Sequence, residues 1–184
     1  MYFILLVLGV ALWAGAHFFK RIAPEARAAM GDKGKGLVAV GILSGVVFMV
    51  VGYRGAEFIP VWWPPAVLTH ANNSLMVFAF WLFAASGAKV WPAQKIRHPQ
   101  LAAIKAFALA HLLVNGDLAS ITLFGGLLSW AVVSVILINK AEPVWTPPAR
   151  APNKKLFSAG VITAVTFFAV TFIHNWLGIW PFPA

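Results

Sequence analysis

His98-Pro-Gln-Leu-Ala-Ala-Ile-Lys-Ala-Phe-Ala-Leu-Ala-His111-Leu-Leu-Val-Asn-Gly-Asp117 is an apolar run with polar groups where a plain lipid anchor has none. As a helix it would rise about 30 Å, the thickness of a bilayer's hydrocarbon core. His111 lies deep inside it, and Asn115, Gly116 and Asp117 close it. A second apolar run begins at Leu118. A membrane segment that holds an imidazole needs a reason to do so.

The rest of the chain has the same character. Of 184 residues, 61% are hydrophobic and only 10% charged, against about 25% charged in a soluble domain. This is membrane composition. A net charge of +9 would suit nucleic acid if it were gathered on one surface. Here the Lys and Arg residues fall in short connectors between apolar runs, which is a topology signal, and nucleic acid is set aside as a partner. The absence of cysteine excludes disulfides, thiolate ligands and Cys nucleophiles. The first run starts at Tyr2 with no basic segment before it and ends at Lys20-Arg21 with no small-residue cleavage site, so it reads as a retained helix.

Six apolar runs can be marked: Tyr2 to Phe19, Leu37 to Tyr53, Ala66 to Ala88, Leu101 to Val114, Leu118 to Ile138 and Leu156 to Leu177. They are continuous rather than alternating, and closed backbone hydrogen bonding in lipid then calls for helices. The fourth is short unless it starts near His98, where Pro99 suits a first helical turn. The odd connectors hold Lys20, Arg21, Arg27, Lys33 and Lys35, then Lys89, Lys95 and Arg97 with Lys105 just beyond, then Lys140, Arg150, Lys154 and Lys155. That is 13 of the 14 basic residues, Arg54 being the other. The positive-inside rule puts those connectors in the cytoplasm. The predicted fold is an all-α integral membrane protein, one six-helix bundle over residues 1–184, with both termini on the outer, periplasmic side. Trp62, Trp63, Trp176 and Trp180 sit where that topology places the outer headgroups. Glu142 to Pro152 reads as a cytoplasmic Pro-rich linker.

Topology assigns each histidine a depth. His111 is 13 residues beyond His98, roughly 20 Å above the cytoplasmic surface. His70, His111 and His174 then form an outer layer, His17 and His98 an inner one. Ionisable residues in a membrane usually face the bundle interior, and neutral imidazole is a common metal ligand. Two imidazoles level on different helices are what a b-type haem takes as axial ligands. His70 and His111 match best, with His17 as a rival ligand. Asn73 and Ser74 share the His70 face, and Asn115 follows His111 by one turn; these are candidate partners for the rings. Lys105 suits either a propionate or snorkelling to the surface. Each residue also has a purely structural use. His174 near the interface and His98 beside the basic loop fit that use better, as do Gly125-Gly126 as a close helix contact and Asp117 as a helix N-cap. The chain has no phosphate loop, HExxH pair or nucleophile elbow, and its few acids lie mostly in connectors.

Gly15-Ala-His17-Phe-Phe-Lys-Arg, Trp63-Pro-Pro followed by His70, the helix-four stretch from His98 to Asp117, and Leu-Phe-Gly-Gly-Leu-Leu-Ser-Trp130 together resemble the NnrU family over nearly the whole chain. That family includes bacterial membrane proteins linked to nitrite and nitric oxide reduction. It also includes plant and cyanobacterial 15-cis-zeta-carotene isomerases, which look like haem b membrane enzymes with histidine ligation. By motif, His111 and His17 match family histidines. Phe18 stands where the family usually has a small polar residue, and the isomerase branch usually carries an N-terminal extension.

The reading that results is a multi-pass protein of the bacterial inner membrane that binds one haem b through His111 with His70 or His17. Asn73, Asn115 and Lys105 lie around the cofactor. Its role is nitrogen-oxide metabolism or redox chemistry with a redox partner. The alternative is a carotenoid cis–trans isomerase acting on a hydrophobic polyene through reduced haem iron. The third class is a cofactor-free structural component of the bilayer, its histidines only joining helices.

Overall fold

A computed structural model describes residues 1–149 and 151–182. Arg150, one of the basic connector residues counted above, lies outside the described residues. Among these the chain forms seven helices and no strand: α1 (Tyr2–Ile22), α2 (Pro24–Ala29), α3 (Gly31–Gly55), α4 (Leu68–Ala88), α5 (Pro99–Val114), α6 (Leu118–Ala141) and α7 (Asn153–Trp176). Four of them, α1, α3, α6 and α7, are long and apolar enough to cross a membrane. Helix α5, at 16 residues, is short. The first turns of α4 are diluted by Thr69, His70, Asn72, Asn73 and Ser74. The protein is a helical membrane protein, and its outward residues agree: Leu43, Val165, Phe168 and Phe172 are each more than 60% exposed. In water such apolar faces would associate; in lipid they are solvated.

The first connector departs from its expected irregular form. It contains α2, and α3 begins at Gly31 rather than near Leu37. The basic head of α3 is thus helical, with an exposed Lys35–Asp32 pair at 2.8 Å that contributes little in water.

The chain packs as two compact units, Met1–Trp63 with Gly116–Pro143, and Pro64–Asn115 with Val144–Ala184. In the first, α1 and α3 run antiparallel and touch through glycine. A Cβ on Gly9 would lie 2.6 Å from the Met49 nitrogen, and one on Gly45 would lie 3.0 Å from the Gly9 oxygen. A Cβ on Gly52 would meet the backbone of Leu6. Missing side chains let two backbones close together, the usual basis of tight helix pairs in lipid. Helix α6 lies parallel to α1 along Leu6 and Ala119, then Val10 and Gly126, then Trp13 and Trp130. Gly126 is the close contact expected of the glycine pair, 2.6 Å from Val10 Cγ1 to a built Cβ, whereas Gly125 meets nothing. A strap from Ile59 to Trp62 pairs with the Gly116–Leu118 turn, Leu118 N–H donating to Ile59 O at 2.8 Å and Val61 N–H to Gly116 O at 2.8 Å.

In the second unit α4 lies between α5 and α7. Its contact residues are small: Ala79 and Ala85 on α4, Ala103, Ala108 and Ala110 on α5, Ala159 on α7. Both neighbours run antiparallel to α4, as the pairing of Ala85 with Ala159 and of Phe80 with Phe167 shows for α7. One end of the unit therefore gathers the start of α4 and the ends of α5 and α7. Helix α4 stops at Lys89, whose left-handed backbone (φ 55°) closes the helix.

Gly52→Leu is expected to destabilise the α1–α3 pair by about 1–3 kcal/mol. Gly125→Ala, next to the close contact but facing open space, is expected to leave stability unchanged. Thermal unfolding in detergent distinguishes the two.

Candidate functional site

A histidine in a helix in lipid must satisfy its ring N–H. Three of them here do so in the same way. His17 Nδ1 lies 2.8 Å from Trp13 O, His111 Nδ1 3.0 Å from Phe107 O, and His174 Nδ1 2.8 Å from Val170 O. Each carbonyl is four residues back on the same helix. A carbonyl can only accept, so Nδ1 carries the hydrogen, and in the neutral ring Nε2 carries the lone pair. This is the tautomer a metal-ligating imidazole needs, with its other nitrogen held by a hydrogen bond.

His70 differs. Its ring is exposed in the first turn of α4 and makes no hydrogen bond among the described residues. Ser74, expected to orient that ring, donates its hydroxyl to the His70 backbone oxygen at 3.0 Å instead. Asn115 does the same, its Nδ2 donating to the backbone oxygen of His111 at 2.8 Å. Asn73 is half-buried, and the buried amide of α4 is its neighbour Asn72. Both side chains expected to reach the rings bond to the helix backbone because a carbonyl one turn back is always within reach.

His70, His111 and His174 all belong to the second unit and to the same end of it, where α4 begins and α5 and α7 finish. His174, which the sequence also places in the outer layer with His70 and His111, lies in the last turn of α7 at this same end. His98 occupies the N-cap of α5 at the opposite end, its carbonyl accepting from Ala102 N–H at 2.9 Å, although its ring does not close the cap. Lys105 is half-buried in mid-α5.

His17 lies in the first unit, between two indoles. Its ring centroid is 4.3 Å from that of Trp13 and 4.8 Å from that of Trp130. The Nε1–H groups of both tryptophans are buried with no acceptor. Buried donors are seldom left so, and an oxygen-bearing group beside His17 would satisfy them. Among the described residues no three His, Asp or Glu side chains converge on one point. Each anchored neutral imidazole is of the chemical type that can ligate an iron, and the unsatisfied N–H donors lie beside His17 alone.

The profile of the NnrU protein family matches residues 5–181. The chain belongs to the NnrU family. No curated protein and no solved structure matches it.

This NnrU chain also carries a buried polar network outside the histidines. Asp117 caps α6, as expected, accepting from Ser120 N–H at 2.9 Å and from the Ser120 hydroxyl. Ser120 Oγ in turn lies 2.9 Å from Tyr53 Oη on α3. Asp117→Ala removes a cap and leaves Ser120 short of a partner, so a loss of about 1–2 kcal/mol is expected. Tyr53→Phe leaves the cap intact and is expected to cost no more than about 1 kcal/mol. Chemical unfolding in detergent reads both.

Proposed function

We propose that this NnrU-family protein is a haem b protein of the bacterial inner membrane that serves redox or nitrogen-oxide metabolism. The observation that carries the reading is the His111 Nδ1–Phe107 O bond, which presents Nε2 as a ligand from a helix in an apolar setting. His111 would be one of the two residues that hold the iron. His70, at the same end of its unit on the adjoining helix, would be the other. Lys105, the one cationic side chain within α5, serves a propionate. Haem so held would supply one-electron exchange. The residues of this chain bind the group, orient it through backbone-anchored imidazoles, and exclude water with alanine, leucine and phenylalanine.

The same proposal gives six crossings, with α4 and α5 as the shorter pair and both termini periplasmic. Basic residues crowd the odd connectors and nearly vanish from the even ones. The absence of native cysteine makes single-cysteine labelling clean. Cysteines at Lys33, Lys95 and Lys155 are expected to react only when the cytoplasmic face is opened. One at Glu57 is expected to react in intact cells with the outer membrane permeabilised. Labelling of Lys95→Cys from outside would overturn the topology.

For the cofactor, the purified protein is expected to show a Soret band and low-spin bands that sharpen on reduction. Changing a group that merely orients a ligand costs about 10–100-fold in affinity, so His111→Ala is expected to cut haem per protein by about tenfold or more. His70→Ala is expected to lose the low-spin bands. An unchanged spectrum in His70→Ala, with loss in His17→Ala or His174→Ala, would assign that ligand to the other histidine. No Soret band in the wild type, expressed with ample haem, would remove the haem reading.

A further inference from the structure

We propose that the cleft between the α4–α5 connector and the Pro-rich segment before α7 binds the headgroup of an anionic phospholipid. The cleft has a volume of about 600 Å³, within the range of pockets that hold small organic groups. One wall carries Trp91, Gln94 and Lys95, and the other carries Pro147, Asn153 and Leu156. Gln94 Nε2 donates to Ala149 O at 3.4 Å and ties the two walls together.

Charge says what enters it. The unit that forms the cleft, residues 64–115 and 144–184, contains Lys89, Lys95, Arg97, Lys105, Arg150, Lys154 and Lys155 and no Asp or Glu. Within this unit Lys95 therefore has no carboxylate to pair with. Lys154 and Lys155 stand exposed on the first turn of α7, which has no side-chain cap. Its leading N–H groups and the helix dipole add to the positive field. An anion must come from outside the unit.

The apolar parts say that the anion carries a lipid. Val90 and Leu156 lie in the same cleft as Lys95. The Trp91 ring is 60% exposed and Phe157, next along α7, is 76% exposed. These are side chains for the boundary between headgroup and acyl chain. Exposed Phe157 directly follows Leu156 of the cleft wall, and basic pockets between helices are recognised sites for anionic headgroups. A free phosphate would use the lysines but not this apolar edge.

The test is native mass spectrometry of the full-length protein with its haem complement, exchanged into detergent with phosphatidylglycerol or phosphatidylcholine. The wild type is expected to retain one phosphatidylglycerol about tenfold more than phosphatidylcholine, and Lys95→Gln with Lys154→Gln to bring the two lipids level. Lys95→Arg with Lys154→Arg is expected to restore the preference, which separates charge from misfolding. Lys33→Gln, outside this unit, is expected to change nothing. Equal retention of both lipids by the wild type, undiminished preference in the double Gln variant, or displacement of the lipid by millimolar inorganic phosphate would each overturn the proposal. The spectrum of the haem is read on the same samples, so failure here is distinguishable from failure of the haem reading.

Discussion

Hydrocarbon offers no hydrogen bonds, so a polar group placed in it must find its partner within reach of its own segment. That constraint runs through the whole molecule. The hydroxyls of Ser74, Thr122, Ser158, Thr163 and Thr166, the amide of Asn115, and the rings of His17, His111 and His174 all bond to a backbone oxygen four residues earlier. For a hydroxyl this is only satisfaction. For an imidazole it is also a choice of tautomer. The bond that makes the ring tolerable in lipid leaves the lone pair on the nitrogen pointing away from the helix, and so prepares the side chain to be a ligand.

Helix association meets the same solvent. Lipid tails are as apolar as leucine, so burial of apolar surface drives little, and close approach has to supply the attraction. The two units achieve it differently. Between α1 and α3 the absent side chains of Gly9, Gly45 and Gly52 bring backbone against backbone. Around α4 the same task falls to alanine. Large apolar side chains are left to face outward, the reverse of a soluble core. The buried polar exception, Asp117 with Ser120 and Tyr53, is satisfied end to end and fastens α6 to α3. The Ile59–Trp62 strap adds backbone bonds at the same turn.

The distribution of charge is equally uneven. All five acidic residues, Glu25, Asp32, Glu57, Asp117 and Glu142, belong to the first unit. There Glu142 meets Arg21 at 2.8 Å. The second unit is left purely cationic. A membrane protein with one such unit has its positive charge answered by what surrounds it, and the anionic components of the bilayer are the nearest source.

Much of this was legible in the residues. Helices in a membrane follow from apolar runs without alternation, because only closed backbone bonding survives in lipid. Asp117 as an N-cap and Gly126 as a close contact were readable from local chemistry, since each depends on neighbours a few positions away. Membership of the NnrU family follows from motifs spread along the chain. The helical head of α3 was not legible, because Gly31 to Gly36 has the composition of a turn and only its packed continuation makes it helix. Nor was the packing of His17 against Trp130 of α6. That pair comes from different helices, and which faces meet is settled by how glycines and alanines let the helices approach. The sequence by itself determined the solvent and the helices. Only the tertiary structure decided which side chains meet across helices, as His17 and Trp130 do, because depth along a helix is counted in residues while rotation about its axis is set by its neighbours.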